Sequence, residues 1–493
     1  MRFYSRIGFL SLWLLVLLSP FVVAQTDKAR AAVNVWTPQA IREAVPRDYL
    51  IGDNHKGYIR DTNGQLFLLG SKPQTLKAVP LNAIKKPLAK PIIFSDSEPP
   101  IVSNHDPSES MVIGNNYIFS AQVTDTSGVK SVVFHIRYPD SVTEQSFTAS
   151  YIGDDRWAVS LQGFYDGDWQ WWVIAKDGSG RGGNTTDVPE VINFSVAVGN
   201  VVIPPVTSED TVVNDEWDKG GVSQSVLGRI YFQMPSNSKR KGPWSGYVCS
   251  GSVVSDSVTG RSLILTAAHC IYDDVNKAFA RNVLFIPNQS ATTASGTDLD
   301  CDNDPVGCWV PDFGVVDRQW TLRTFPDNVA WDYGFYVVGD IGAHIGSTAS
   351  SESLDMAVGS LAMSFLTPSY DDGDPGKASL DFTYALGYSY AYDPKLMYCA
   401  EDLTQNTGVN WWIPSCELSG GASGGAWLQP LDENSGGGTI ISLNSWGYTS
   451  APGMAGPRLD VSSAACLFSV AQYTFFNAVS NLDGDQGVVQ SCP

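Results

Sequence analysis

Disulfide bonds are the strongest constraint on how this chain can fold. All eight of its cysteines lie after residue 248, so the constraint acts on the second half of the chain. In an exported chain, an even number of cysteines indicates disulfides before metal binding or redox chemistry. Spacing alone allows many pairings. We therefore expect a second half whose loops are cross-linked.

The N-terminus predicts export. Arg2 and Arg6 precede a mainly apolar stretch from Ile7 to Val23, and a small-residue cleavage site ends at Ala24. Residues 1–24 therefore read as a signal peptide, with an uncleaved anchor as the alternative. No second apolar run approaches the length of a membrane span, so we expect a secreted or periplasmic product with no membrane association after signal removal.

The charge is uneven along the chain. Residues 25–100 contain 11 Lys/Arg and 7 Asp/Glu, whereas residues 101–493 contain 18 and 44, within a total of -20. Such acidity argues against a nucleic-acid partner, because phosphate contact needs clustered Lys and Arg. A basic segment ahead of an acidic body could dock on it electrostatically, or the charge could serve solubility.

Two regions precede the cysteine-rich half. Residues 25–97 show little periodicity apart from a helix predicted over Thr37–Val45, with Thr37 as cap and Pro38 as first residue. This region ends in a basic, proline-rich run and reads as a propeptide or an N-terminal linker. Residues 98–199 contain strand-like runs at 117–123, 129–136 and 168–175, which predict a β-sandwich.

The sandwich region resembles the immunoglobulin-like modules of exported bacterial proteins, through Val123–Val129 and Ala175–Gly178. Trp169 and Trp171 share one face of a strand and Trp172 the other. We favour core packing for these rings over a sugar- or peptide-binding platform. Residues 200–215 read as a linker, and residues 216–493 form the last domain.

A serine among glycines marks a candidate nucleophile. The stretch Cys416–Gly425 reads Cys-Glu-Leu-Ser-Gly-Gly-Ala-Ser-Gly-Gly, with Ser423 inside it. Such a turn can place backbone N–H groups beside the hydroxyl, as attack on a carbonyl requires. Glycine–serine runs are more often plain loops, so a second motif is needed.

The second motif is Leu265–Cys270, which reads Leu-Thr-Ala-Ala-His-Cys and follows Cys249-Ser250-Gly251-Ser252 in the chain. These residues resemble the chymotrypsin-like serine peptidases, whose base histidine lies in Thr-Ala-Ala-His-Cys and whose adjacent cysteine bonds to one in Cys-x-Gly-Ser. The resemblance spans about residues 216–493. It implies an all-β protein in which a chymotrypsin-like double β-barrel follows the immunoglobulin-like sandwich, with His269 as base.

The resemblance, together with local spacing, also favours one cysteine pairing. It directly implies a disulfide between Cys249 and Cys270. The other expected pairs are Cys301 with Cys308, Cys399 with Cys416, and Cys466 with Cys492.

The third catalytic residue should be an acid between His269 and Ser423 in the chain. Asp332 has aromatic neighbours and an apolar run after it, so burial against an imidazole N–H would suit it. Its rivals, which lack this setting, are Asp312, Asp317, Asp327 and Asp340.

The implied function is a secreted serine endopeptidase, made as a zymogen and acting on polypeptides without a cofactor. The N–H groups of Gly421 and Ser423 would bind the oxyanion. Ser445, Trp446 and Gly447 look like the family's Ser-Trp-Gly strand, which lines the specificity pocket and pairs with substrate. The alternative is a non-catalytic binding or adhesion protein that retains the fold. No sequence signal specifies an oligomeric state.

Two departures from the family affect maturation and specificity. Ala422 stands where trypsin-like enzymes carry an Asp that pairs with a newly freed N-terminus, so activation by that ion pair is in doubt. The spacing from Cys416 to Ser423 is also longer, which makes transfer of pocket residues unsafe. Glu417 is expected to be solvated, although it could select basic side chains if it faced the pocket.

A calcium site is the one cofactor that the sequence raises. Alternating acids enter the loop around Cys301, namely Asp298, Asp300, Asp302 and Asp304. The EF-hand pattern fails, because Asn303 replaces the turn glycine and Trp309 the bidentate glutamate. We expect a solvated acidic loop and no metal.

Overall fold

The computed structural model describes most of the chain after residue 28. The described residues are 29–52, 56–60, 65–69, 76–81, 97–106, 111–112, 117–138, 144–162, 164, 167–178, 183–186, 189–197, 210–239, 243–293, 300–346, 353–370, 380–474 and 487–492. The expected signal peptide, the basic run at 85–91, Asp298 and most of the expected linker lie outside them.

Strands dominate the described residues, which confirms the all-β prediction. The helices are short: 29–35, Pro38–Glu43, Gly221–Val226, Arg318–Leu322, Leu354–Val358 and Ala464–Tyr473, with single 3₁₀ turns at Ala268–Cys270, Gln289–Ala291, Val329–Trp331 and Tyr390–Tyr392. Thr37 caps Pro38–Glu43 by accepting from the N–H of Ala40, as the sequence predicts. Among described residues, no helix is long and apolar enough to cross a membrane.

The first unit is a sandwich of two five-stranded sheets. One sheet contains Glu144–Thr148, Val129–Arg137, Gly167–Asp177, Ile192–Ala197 and Met111–Val112. The other contains Ser150–Gly153, Arg156–Gln162, Tyr117–Thr124, Ile101–Asp106 and Lys77–Val79. Phe119 of the second sheet meets Trp171 of the first, with ring centres 5.3 Å apart. Aromatic side chains from the two sheets therefore meet between them, and the expected immunoglobulin-like domain stays a prediction.

The tryptophans of the sandwich are structural. Trp169 and Trp171 are fully buried between the sheets. Trp172, on the opposite face, stacks on His135 with ring centres 5.3 Å apart and lies under the guanidinium of Arg137. Because these faces are already covered, the rings cannot serve as a binding platform, and core packing is confirmed.

The second unit contains four sheets, and a curled sheet forms a half-barrel. The largest contains Val45–Pro46, Leu227–Pro235, Trp244–Val254, Arg261–Thr266, Arg281–Pro287, Cys308–Trp309, Phe313–Asp317, Gly334–Gly339, His344–Ile345 and Gly487–Gln490. A six-stranded sheet contains Val212–Glu216, Ala362–Met363, Phe382–Gly387, Met397–Asp402, Ala426–Asp432 and Gly437–Leu443. A seven-stranded sheet contains Asp48–Ile51, Gly57–Arg60, Leu66–Leu68, Thr404–Thr407, Asn410–Ile413, Trp446–Tyr448 and Met454–Pro457, and a small hairpin pairs Tyr272–Asp273 with Ala278–Phe279.

Residues expected as a linker at 200–215 partly belong to this unit. Val212–Glu216 forms an antiparallel pair with Met397–Asp402, so the linker prediction is wrong for 212–215. The physical reason is that an edge strand leaves unpaired N–H and C=O groups, which an adjoining extended segment satisfies.

The N-terminal region is also not a separate linker. Val45–Pro46 pairs with Tyr247–Val248 in the largest sheet, and Asp48–Ile51 pairs with Trp446–Tyr448 in the seven-stranded sheet. Further on, Lys77–Val79 joins the sandwich. The boundary expected at residue 98 therefore does not separate this region from the units that follow it.

All four expected disulfides are present. Cys249–Cys270, Cys301–Cys308, Cys399–Cys416 and Cys466–Cys492 each have sulfurs at bonding distance. The described residues contain no other cysteine.

The C-terminal disulfide Cys466–Cys492 should stabilise the fold more than the disulfide Cys301–Cys308. Cys466–Cys492 spans 26 residues and retains Gly487–Gln490 beside Phe313–Asp317, whereas Cys301–Cys308 spans 7. Replacing Cys466 and Cys492 by serine should lower the free energy of unfolding by about 3–4 kcal/mol, and the shorter pair by about 2–3 kcal/mol. Denaturant unfolding of both double variants measures this. A smaller loss for the C-terminal pair would contradict the expectation.

Candidate active site

His269 lies where two sequence motifs meet. It follows the buried strand Arg261–Thr266 in a single 3₁₀ turn, Ala268–Cys270. The Cys249–Cys270 disulfide ties that turn to the strand Trp244–Val254. The side chain of His269 is completely buried. Its backbone is therefore fixed from both sides by covalent and sheet connections.

Asp332 is brought to His269 by strand pairing. It precedes Gly334–Gly339, which pairs with Arg261–Thr266 so that Gly334 lies opposite Thr266. One carboxylate oxygen of Asp332 accepts from the backbone N–H of His269 at 2.9 Å, and the other lies 2.7 Å from Nδ1. The hydroxyl of Ser445 donates to that second oxygen at 2.6 Å.

Three donors thus make a fully buried carboxylate tolerable. Among the five candidate acids, Asp332 is the one hydrogen-bonded to the imidazole in the described part of the chain. Its rival Asp317 instead caps Arg318–Leu322 and accepts from Ser463.

The second nitrogen of His269 is unoccupied. Its Nε2 atom is buried and has no hydrogen-bond partner within the described ranges. With Nδ1–H donated to Asp332, the neutral ring presents Nε2 as an acceptor. A buried acceptor without a donor is unusual and suits a nitrogen that must take up a proton.

The turn around Ser423 packs directly on the histidine motif. Gly424 has φ +86°, and a Cβ there would lie 2.1 Å from Oγ1 of Thr266. Only glycine allows so close an approach. The carbonyl of Ser423 accepts from the N–H of Ser250 at 2.7 Å, and Ser423 is only 7% exposed. The structure therefore brings Ser423 to the strand that carries Cys249.

The backbone N–H groups of this turn differ in whether a described backbone carbonyl accepts from them. Those of Ala422 and Gly424 donate to the carbonyls of Ser419 and Asn444, at 3.1 and 2.8 Å. Within the described residues, those of Gly421 and Ser423 donate to no backbone carbonyl. These are the two groups expected from the sequence to bind an oxyanion, and they are available for an incoming acceptor.

Ser250 holds the turn, a role that the sequence analysis did not assign. Its hydroxyl donates to the carbonyl of Gly421 at 2.9 Å and accepts from the N–H of Tyr388 at 2.8 Å. Its own carbonyl accepts from Thr266 Oγ1 at 2.7 Å. The only sequence signal was its place in Cys-x-Gly-Ser, where the residue type at x is unspecified.

Neutral hydrogen bonds hold the turn at Ala422, the position where trypsin-like enzymes form an ion pair. Ala422 is fully buried, and its carbonyl accepts from the side-chain amide of Asn444 at 3.0 Å. The same amide donates to Leu386, and its oxygen accepts from the indole of Trp427. Asn444, which sequence reasoning also missed, fixes the turn without a charged N-terminus.

The expected substrate strand borders a cavity. Ser445 contacts Asp332, and Trp446–Tyr448 forms a strand of the seven-stranded sheet. Beside it is a cavity of 430 Å³, lined by Asp48, Leu50, Arg60, Cys416, Glu417, Leu418, Ser419 and residues 447–454. Glu417 therefore lines this cavity, and it is exposed.

The N-terminal segment covers the site. The ring of Tyr49 stacks on the imidazole of His269, with centres 4.5 Å apart and planes 18° from parallel. A Cβ on Gly420 would lie 2.7 Å from Cβ of Pro46 and 2.8 Å from that of Asp48. Apart from its positive net charge, no feature of residues 25–97 indicates this placement.

The described acids of the loop around Cys301 do not form a cluster with the spacing of metal ligands. Asp300 and Asp302 are exposed and Asp304 is buried. Among described residues, the one cluster with ligand-like spacing is Cys249, His269 and Cys270. Its sulfurs are bonded to each other, so neither is a thiolate that could bind a metal.

Comparison with known proteins finds no match to this chain among family models, curated proteins or solved structures. The chemistry of the site must therefore be judged from its own atoms.

The carboxyl group of Asp48 should make stability depend on pH. Burial raises its pKa to about 6, against the opposing charge of Arg60, 3.6 Å away. A folded-state pKa above the ordinary value means that its stabilising contribution is complete below about pH 4 and is lost as the pH rises through 6. The melting temperature of Asp48→Asn relative to wild type should therefore rise by a few degrees from pH 5 to 7.

Differential scanning fluorimetry at both pH values measures this. The control is Asp155→Asn, in an exposed turn of the sandwich, which should show the same offset at both. A pH-independent offset for Asp48→Asn would contradict the expected penalty.

Proposed function

We propose that this chain is an exported serine endopeptidase, with a chymotrypsin-like double β-barrel as its second unit. The observation that carries the proposal is the buried imidazole of His269, bound through Nδ1 to Asp332 and unpartnered at Nε2. Beside it lies the turn of Ser423, where the N–H groups of Gly421 and Ser423 donate to no backbone carbonyl of the described residues. The four disulfides support an extracellular or periplasmic location.

In this proposal, acylation begins with attack by Ser423. The hydroxyl oxygen of Ser423 bonds to the scissile carbonyl carbon while Nε2 of His269 takes its proton. The negative oxygen of the tetrahedral intermediate accepts from the N–H groups of Gly421 and Ser423. When the C–N bond breaks, the amine leaves with the proton from Nε2. Water then attacks the ester with His269 again as base, which releases the acid and restores Ser423.

Asp332 determines which nitrogen of His269 acts. Its carboxylate can only accept, so it holds the hydrogen on Nδ1 and stabilises the imidazolium formed during attack. In Asp332→Asn, an amide N–H directed at Nδ1 would favour the other tautomer, in which Nε2 already carries a hydrogen. The base would then be lost although the shape of the side chain is kept.

The substrate is a polypeptide in extended form. The strand Trp446–Tyr448 supplies backbone groups for pairing, and the neighbouring cavity can take a side chain. Of the three charged residues that line the cavity, Asp48 and Arg60 belong to the N-terminal segment and Glu417 to the body. In this proposal the sandwich is an accessory domain.

Fluorophosphonate labelling tests the proposal, because an activated serine displaces fluoride from the probe. Because residues 46–51 cover the site, the probe is applied both to intact chain and to chain cut by a site-specific protease, whose recognition sequence replaces residues 70–75. We expect one label per chain, on Ser423. Ser423→Ala and His269→Ala should abolish it, and Asp332→Asn should slow it by about 10³- to 10⁴-fold.

Ser252→Ala is the control, since Ser252 lies outside the cavity and its buried hydroxyl has no partner among the described residues. It should label like wild type. If the folded wild type labels neither as the intact chain nor as the cut chain, the peptidase is rejected and the non-catalytic binding protein is favoured.

A second expectation concerns Ser250. Removing its hydroxyl leaves the carbonyl of Gly421 and the buried N–H of Tyr388 without their partner, so the turn should shift. Ser250→Ala should slow labelling by about 10- to 100-fold and destabilise the fold by about 1–3 kcal/mol. Ser252→Ala is the control on the same strand, because that hydroxyl is equally buried and has no partner in the described part. Equal labelling of both variants, measured well below their melting temperatures, would exclude the positioning role.

A further inference from the structure

We infer that residues 45–51 act as a built-in inhibitor, lying across the active site as a bound strand that is not a substrate. The inference rests on the proposed peptidase function and concerns regulation of the same site. A peptidase must let a polypeptide reach its nucleophile, yet here His269 is completely buried and Ser423 is 7% exposed.

The path of the segment crosses the cleft between two sheets. Val45 and Pro46 pair in parallel with Tyr247 and Val248, on the strand that carries Cys249. Three residues later, Tyr49–Ile51 pairs in parallel with Trp446–Tyr448, the strand proposed to bind substrate. The bond from the N–H of Thr449 to the carbonyl of Ile51 extends this pairing. The backbone groups that a substrate would use are therefore already occupied.

The alternation of side chains along the strand covers both parts of the site. Asp48 and Leu50 line the cavity proposed to take a substrate side chain. Tyr49, which faces the opposite way, stacks on the base His269. One short strand thus blocks the general base, the pairing edge and the cavity together.

A buried polar network anchors the crossing point. The guanidinium of Arg47 lies 3.6 and 3.8 Å from the carboxylates of Asp273 and Asp274, and it donates to the hydroxyl of Tyr49. That hydroxyl donates to Asp274 at 2.8 Å. Asp274 also accepts from the backbone N–H of Phe325 at 2.7 Å. A basic residue of the segment therefore docks on buried acids of the body, in keeping with their opposite net charges.

Apolar contacts hold the preceding residues. Trp36, Ile41 and Ala44 are buried in the core of the second unit. The indole of Trp36 donates to the carbonyl of Asn282 at 2.7 Å and packs on Tyr231. The segment is thus docked over most of its described length before residue 52.

The bound strand is not positioned for cleavage. Attack by Ser423 requires a carbonyl whose oxygen accepts from the N–H groups of Gly421 and Ser423. Within the described residues, no backbone carbonyl accepts from either. The ring of Tyr49, not a peptide group, lies against the imidazole. The segment can therefore occupy the site without being hydrolysed.

The turn itself needs no freed N-terminus, because Ala422 replaces the acid of trypsin-like enzymes and Asn444 holds its carbonyl. Activation therefore consists of uncovering a site that is already arranged. Release of the segment up to residue 69 would leave Lys77–Val79 in the sandwich sheet.

The experiment compares second-order rates of fluorophosphonate labelling of Ser423 in the intact chain and in the chain cut at residues 70–75 and freed of the released segment. Hydrolysis of quenched fluorescent casein is followed in parallel. We expect labelling to be at least 100-fold faster after release, and a synthetic peptide of residues 29–60 to slow it again.

Tyr49→Ala in the intact chain is a second route, should the released enzyme unfold, since it removes the ring from His269 and leaves the chain uncut. It should label at least tenfold faster than wild type. Gln39→Ala, on an exposed helix position of the same segment, should leave the rate unchanged.

The outcomes separate the two proposals. Labelling of Ser423 at one rate in intact, cut and Tyr49→Ala chains would overturn the inhibitor and keep the peptidase. Absence of labelling in every folded form would overturn both. Faster labelling of Gln39→Ala as well as Tyr49→Ala would show general loosening and also overturn the specific role of the strand.

Discussion

The buried carboxylate of Asp332 is the interaction on which the site depends. An unpaired charge in such a place would destabilise the fold severely, and three donors from two parts of the chain compensate it. They are the backbone and ring of His269 and the hydroxyl of Ser445. Because two sheets supply these donors, the same contacts that compensate the charge also fix the imidazole relative to the strand proposed to bind substrate.

The turn of Ser423 is coupled to this network through the neighbouring strand. The disulfide from Cys249 fixes the histidine turn, and Ser250, the next residue, binds both Gly421 and Ser423. The proposed base and the proposed nucleophile are therefore attached to consecutive residues of one strand. The absence of a charged anchor at Ala422 is compatible with this design, since neutral donors already hold the turn.

Short-range patterns predicted much of this arrangement. Alternating runs identified the strands of the sandwich, the cap at Thr37 identified its helix, and local spacing with the family resemblance gave the cysteine pairs. The aromatic setting of Asp332 singled it out among five acids, because burial of an acid leaves a pattern in neighbouring residues. Ser250 and Asn444 left no such pattern, since their roles come from contacts over more than 100 residues and over 22 residues of chain.

The linker prediction failed at 212–215 for a related reason. Whether an extended polar segment pairs with a sheet depends on a vacant edge elsewhere in the chain, here that of Met397–Asp402. The N-terminal region shows the same limit, because its strands are only two to four residues long and contain little periodicity. Its charge was the only property that indicated docking, and Arg47 carries out that docking.

Only a modest free energy of docking is needed for residues 45–51 to keep the proposed active site covered. A hundredfold suppression of activity needs the docked state to be favoured over the displaced state by only about 2.7 kcal/mol. Burial of the Tyr49 ring alone has a magnitude of about 1.5–3 kcal/mol, before the parallel strand and the Arg47 network are counted. The opposing contribution is Asp48, whose raised pKa shows that its charge is poorly compensated in the docked state. Docking should therefore loosen as that carboxyl ionises, so that the segment combines a firm anchor at Tyr49 with a weak point one residue away.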